Sequence, residues 1–295
     1  MSFLNQIARL VTDPPPQHLF ELSEAGIAFA HGTQTSFEAF DEGTLVASPM
    51  EDNLLRADAV AAAIAKITAP GTAGASSKKR KPAAVILPDY AARVSVLDFD
   101  SFPSSLEEQN SLVRFRVKKT IPFDIDSAAV SHYVQPHHAS KKVDVVAVTV
   151  AIEVIARYEA LFRSSGFQPG VVTTSALAAL NLYRGEGVAV LAKLSGRALT
   201  VSVIANSIVK LFRCVALEDA SDEEILGVLH PTFAYVEDEL GSPVQRLIVC
   251  GLSPQASTEF GQSVKNCEIE PLRSRFGTPG PFNAGLLGYL ESVEN

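Results

Sequence analysis

Few side chains in this sequence stand where covalent chemistry would need them. His132, His137 and His138 gather near the end of an extended run. A zinc-type centre needs three or four ligands at defined spacing, and no further ligand pattern accompanies these, so they read as surface histidines and no metal is expected. Cys214, Cys250 and Cys267 include no CxxC pair and are odd in number, which fits neither a disulfide framework nor a zinc site and agrees with a reducing compartment. Ser195-Gly196 and Ser164-Ser165-Gly166 lack the GxSxG elbow, and no nucleophile has a recognisable base beside it. Asp98 with Asp100, or Glu107 with Glu108, have the spacing of acid/base pairs. A charged rim and the first turn of a helix explain them more simply. No catalytic residue is expected.

The elements that would hold any site come from a chain of 295 residues, 47% hydrophobic and 20% charged. That is long enough for one two-lobed unit or two moderate domains, with apolar material for a real core. Lys and Arg number 25 against 33 acids, a formal charge of -8, so a nucleic-acid partner has no global electrostatic support. No run approaches the roughly 20 apolar residues that cross a bilayer, so membrane association is expected only through partners.

Phe3, Leu4, Ile7 and Leu10 fall at helical spacing before Asp13-Pro14-Pro15-Pro16, giving a docking arm or a helix packed on its own domain. Leu19–Leu22, Ile27–His31 and Thr35–Phe40 are short extended runs around glycine turns, a β-meander. Asp52 or Asn53 can cap a helix over Leu55–Ile67, and Pro70–Pro82, which contains Lys78-Lys79-Arg80-Lys81, reads as a solvated loop. Strands follow at Ala83–Leu87 and Arg93–Phe99, then a helix over Ser105–Thr120 that Ile121-Pro122-Phe123 ends. Val130–Val134 is a strand, and the β-branched run Val143–Val150 suits a central one. It feeds a helix over Ile152–Ser165 with Gly166 as left-handed C-cap, then the strand Val171–Thr173 and a helix from Ser175. Val188–Lys193, Ala198–Ile204 and Ile208–Val215 form a second meander. Ser221-Asp222-Glu223-Glu224 is a capping box whose helix Pro231 is expected to kink or restart. Arg246–Gly251 is a buried strand and turn, and Phe282–Leu290 a final helix. A meander followed by helix, strand and helix, twice over, suggests a duplicated α/β fold with a cleft between its halves.

Two stretches are more specific. EEQ...VRFRVKKTIPFDIDSAAVSHYV, between Leu106 and Val134, and VVAVTVAIEVIARYEALFRSSGFQPGVVTTSALAAL, Val145 to Leu180, resemble the PilM family of type IV pilus assembly proteins, within the actin-like ATPase superfamily. A weaker likeness extends to actin-like cytoplasmic components of type II secretion. The resemblance implies an α/β, actin-like (ASKHA) fold with two related lobes, an inserted subdomain in the first, and ATP held at the cleft. Its divisions would be an N-terminal arm at 1–17, a first-lobe subdomain at 18–92, the inserted subdomain at 93–142, a return to the first lobe at 143–169, and the second lobe at 170–295. It also implies a PilN-like membrane-protein tail as partner, with PilO-like protein and motor ATPases reached through it. The protein would then be cytoplasmic and peripheral at the inner membrane.

Set against that family's phosphate loops, the residues here depart. The first Asp-Ile-Gly corresponds to Glu21-Leu22-Ser23 and a later lysine to Ala28. The second Asp-Ile-Gly corresponds to Lys193-Leu194-Ser195, followed by Gly196, and the paired glycines of the adenosine loop to Gly251-Leu252. Such loops need backbone N–H groups close to phosphate and a carboxylate for the hydrated metal. A lysine in that place cannot ligate magnesium, and Leu252 is expected to crowd the nucleotide. Between Val215 and Ser221 there is almost no room for the subdomain that closes over adenine, so this accessory subdomain is reduced or missing. Glu21, Ser23, Lys193, Ser195, Gly196 and Gly251 thus mark a vestigial nucleotide site in a pseudo-ATPase without a cofactor. Ile121, Phe123 and Tyr133 are the partner-binding candidates. The alternatives are an ATP-binding switch that uses Lys193 and Arg197, or a type II secretion component.

Overall fold

The computed structural model describes residues 15–50, 52–69, 79–136, 142–252 and 267–294. The expected arm at Met1–Val11, most of the Pro70–Pro82 loop, and His137 and His138 lie outside the described residues.

The first lobe opens with β1 (His18–Ser23), β2 (Gly26–His31) and β3 (Gln34–Ala39), an antiparallel meander. Gly26 is required at the first turn, since a Cβ there would lie 2.3 Å from the Glu38 carbonyl oxygen. After α1 (Ala57–Thr68) comes β4 (Lys81–Leu87), parallel to β1, and later β8 (Phe167–Thr174), parallel to β4. The strand order is β3-β2-β1-β4-β8. The second lobe repeats it. Its meander is β9 (Val188–Ser195), β10 (Ala198–Ala205) and β11 (Ile208–Ala216), and its parallel strands are β12 (Arg246–Cys250) and β13 (Glu268–Pro271), in the order β11-β10-β9-β12-β13. The same order in both halves establishes the duplication that the two meanders suggested.

Between β4 and β8 the chain departs into a small three-stranded sheet, ordered β5-β7-β6, from β5 (Arg93–Phe99), β6 (Ala128–Val134) and β7 (Val143–Ala151), with α2 (Leu106–Val117) packed on it. This is the inserted subdomain, and two expected boundaries move. β7 pairs with β5 and β6 along its whole length, so the insertion runs to Ala151, past the expected 142. Its apolar run belongs to the middle of the small sheet. β8 pairs with β4 as far as Thr174, so the first lobe extends beyond 169. Return to the lobe is by α3 (Ile152–Ser164), whose Val154, Tyr158, Leu161 and Phe162 pack against Phe20, Ile64 and Phe167 in the outer core.

Several local expectations are corrected. α1 begins at Ala57 and has no side-chain cap. Asn53 is instead buried, exchanging hydrogen bonds with the Ser48 backbone and accepting one from the Tyr158 hydroxyl. α5 (Asp222–Leu240) runs unbroken through Pro231. At its start Ser221 Oγ accepts from Glu224 N, and the Glu224 carboxylate accepts from the amides of Glu218, Asp219 and Ala220. α5 begins only six residues after β11 ends, leaving no room for an accessory subdomain there.

The two lobes share one core. Leu19, Ala84 and Ile86 of the first sheet meet Ala189, Leu191 and Ile248 of the second, with α4 (Ser175–Ala179) and the terminal α6 (Ala284–Glu294) between them. Gly285 and Gly288 let α6 lie against α4, because a Cβ at Gly288 would fall 2.1 Å from the Ala178 carbonyl oxygen.

Candidate functional site

At the cleft between the lobes, β1 and β9 lie in equivalent places in their sheets and present Glu21 and Lys193. Both have apolar neighbours in their strands, and both are buried, Glu21 at 1% exposure and Lys193 at 0%. A buried ammonium needs a partner. Lys193 Nζ lies 3.0 Å from Asp89 Oδ2, in the turn Asp89–Ala91 that directly follows β4. Asp89 Oδ1 accepts from Ala176 N at 2.6 Å. Glu21 accepts from the Ser175 hydroxyl, and its other oxygen from Leu286 N at 2.6 Å. Two carboxylates and one ammonium thus join β1, the end of β4, α4, β9 and α6. Burial pulls the Lys193 pKa down, but Asp89 and Glu21 outweigh it and hold the ammonium above its ordinary value. Burial raises the Glu21 carboxyl against the pull of Lys193.

Asp89 was not among the residues that the sequence singled out. The signal was there: a lysine at the end of an apolar strand demands a carboxylate, and parallel strand ends in the facing lobe are where one can stand. What hid it was separation, 104 positions between the partners, and a Pro-Asp-Tyr that reads as an ordinary turn.

The remaining candidate residues of the cleft have structural occupations. Ser23 Oγ donates to the Gly26 carbonyl at 3.0 Å. Gly196 takes φ +58 in the β9–β10 turn. Gly251 takes φ +75, and a Cβ on it would lie 2.1 Å from the Leu194 carbonyl oxygen. The close approach there is to the protein's own backbone. Leu252, expected to crowd a nucleotide, packs instead against the second-lobe core. Ser195 borders one space, about 160 Å³, with Ser23, Glu24, Asp89, Tyr90 and Arg197 around it. Cofactor pockets run from roughly 300 to 1,000 Å³. Arg197 donates to the Glu218 carbonyl at 3.3 Å.

A larger groove, about 400 Å³, opens where the inserted sheet meets α4 and the second lobe. Val146 and Val148 of β7, Leu177 and Leu180, and Val209 of β11 line it, with Tyr133 at the rim, 62% exposed. β6 is an edge strand there. Of the three partner-binding candidates, only Tyr133 lines this groove; Ile121 and Phe123 pack against the core of the inserted subdomain. Gln135 ties the groove to the second lobe: its amide donates to the Val209 carbonyl and accepts from Val209 N, both at 2.8 Å. Lys210 Nζ adds an ion pair to Asp144 at 2.5 Å.

The acid pairs stand in the inserted subdomain. The hydrogen bond from Lys142 holds Asp98 below the ordinary carboxylate range, and Arg116 lies beyond it. Glu107 and Glu108 occupy the first turn of α2. His132 faces Gln109 Oε1 at 3.2 Å. Among the described residues, no group of three His, Cys, Asp or Glu is placed to hold a metal.

No family model and no curated protein sequence matches the chain. Solved structures do. A structure described as a PilM-PilN type IV pilus biogenesis complex matches with TM-score 0.68 at 14% identity, over 94% of this chain and 98% of that one. The actin-like fold is therefore established. The cytoplasmic domain of EpsL, an inner-membrane component of the type II secretion system of Vibrio cholerae, matches with TM-score 0.55 at 13% identity, over 94% of each chain. A protein of actin-like ATPase fold and unknown function from Bacteroides thetaiotaomicron matches with TM-score 0.50 at 10% identity, over 92% and 93%. Identities this low carry the actin-like fold and nothing finer.

Proposed function

We propose that this protein is a non-enzymatic scaffold of a type IV pilus inner-membrane platform, which takes the cytoplasmic tail of a PilN-like protein into the groove beside β6. The observation that carries the reading is the contrast between two of its concavities. In the cleft that the actin-like fold uses for nucleotide, the centre is filled by Lys193, Asp89 and Glu21. The groove is open, apolar-lined and flanked by a strand edge. An extended peptide suits it: the edge offers backbone donors and acceptors at alternate residues, and the valine and leucine lining takes apolar anchors. The similarity to a PilM-PilN complex supports the choice of partner. Contact with a PilO-like protein and with motor ATPases would follow through that tail, which also holds the scaffold at the cytoplasmic face of the membrane. No helix among the described residues is long and apolar enough to cross a bilayer.

An ATP-driven switch would need Lys193 and Arg197 free to meet phosphate. Lys193 is wholly buried, and Arg197 is bonded to a backbone carbonyl. A type II secretion role shares the fold and differs in the partner. Fluorescence anisotropy with labelled tails from the PilN-like and secretion-type membrane proteins of the same genome separates the two. Binding of the PilN-like tail, weakened at least tenfold by Tyr133→Ala, is the expected result; no binding of that tail refutes the proposal.

A further inference from the structure

Two-lobed proteins move by hinge closure around what lies between the lobes. Here that position is held by a side chain of the protein itself. Lys193 is always present and needs no capture from solution. The sheet that carries it also reaches the groove. On the cleft face of the second sheet, Lys193 of β9 pairs in register with Thr200 of β10, and Thr200 with Cys214 of β11. β11 lies against the turn that carries Asp89. Five residues earlier, roughly 17 Å along an extended strand, the same β11 supplies Val209 to the groove wall and to Gln135, and Lys210 to Asp144.

We propose that the Lys193–Asp89–Glu21 cluster is a built-in lock which, through β11, holds the groove in one assembled shape that does not depend on nucleotide. The groove is walled by the inserted sheet, by α4 and by the second lobe, so it exists as a groove only while the lobes keep one relative position. The lock sets that position. Side-chain bonds between Gln135 and Val209 transmit it, because a strand moves as a stiff element and both ends of β11 are committed. Energetic coupling of this kind is reciprocal: filling the groove protects the lock as the lock protects the groove.

This rests on the proposed function only for the purpose of the groove, and the test uses no partner. Amide hydrogen exchange reads both ends in the full chain. Leu286 N–H, bonded to Glu21, reports the lock; Val209 N–H, bonded to Gln135, reports the groove; Val85, in the buried part of β4, reports the fold. Asp89→Asn removes the charge and keeps an acceptor for Ala176 N–H. It is expected to speed exchange at Leu286 and Val209 at least tenfold with Val85 unchanged, while magnesium-ATP leaves the parent protein's rates where they were. Should Val85 also accelerate, Ser175→Ala removes only the hydroxyl donated to Glu21 and is expected to give the same pattern with a smaller rise. Exchange at Val209 that stays unchanged in both variants overturns the lock, as does slowing of Val209 by magnesium-ATP in the parent protein. Either result leaves peptide binding in the groove to be judged separately.

Discussion

The buried Lys193–Asp89 ion pair stands at the centre of the cleft. Removing one partner of a buried ion pair strands the other without water, and the usual cost is about 3 to 5 kcal/mol. Lys193→Met is therefore expected to lower stability by that order in urea unfolding, and to leave two buried carboxylates facing each other. The sign of the pH dependence follows from the Lys193 shift. Its folded pKa is raised above the ordinary 10.5, so its contribution is complete below that value and is lost as pH rises through the folded value. The stability gap between the parent protein and Lys193→Met should accordingly narrow on the alkaline side and hold steady near neutrality. Burial pushes the Cys214 thiol up to about 12 and the Cys250 thiol up to about 11. Thiolate is the reactive form, so at pH 8 Cys250, 3% exposed, should resist an aromatic disulfide reagent until the protein unfolds, and its rapid native labelling would contradict that burial. At this scale the sequence was half legible. A lysine in an apolar strand at position 193 stood out, but nothing near it in the chain announced that Asp89 would answer it.

Elements were easier to read than the company they keep. Alternation and glycine turns located both meanders, and the capping box located the start of α5. Yet β7, whose β-branched sequence suits any central strand, could not reveal that its sheet has three strands and belongs to the insertion, because pairing partners are set by long-range packing. β13, Glu268–Pro271, is short and polar and gave no pattern. Gly251 has a local reason to be glycine. Glycine is needed there for φ +75 and for the contact with the Leu194 carbonyl, whether or not phosphate ever approaches. Gly251→Ala should force β9 and β12 apart at their ends and cost more than the roughly 1 to 2 kcal/mol of left-handed strain alone. Thermal unfolding checks this, and a cost within experimental scatter of zero would show that the turn relaxes freely.

Across the whole molecule, the two sheets share one strand order, and the inserted subdomain is bonded to the lobe opposite the one it grows from. Under the proposed function, this arrangement would serve a body that presents a fixed surface. Duplication was legible from the repeated meander, and the family likeness in the middle of the chain pointed to the insertion. That insertion's grip on β11 was not legible, since Gln135 and Val209 are 74 positions apart and neither residue is unusual in itself. The central claim is that the protein's own groups fill the actin-like cleft. Isothermal titration of the purified chain with ATP, with and without magnesium, tests it most directly. The account predicts no saturable heat in either arm up to millimolar nucleotide. Magnesium-dependent binding of one ATP per chain at micromolar affinity would contradict it.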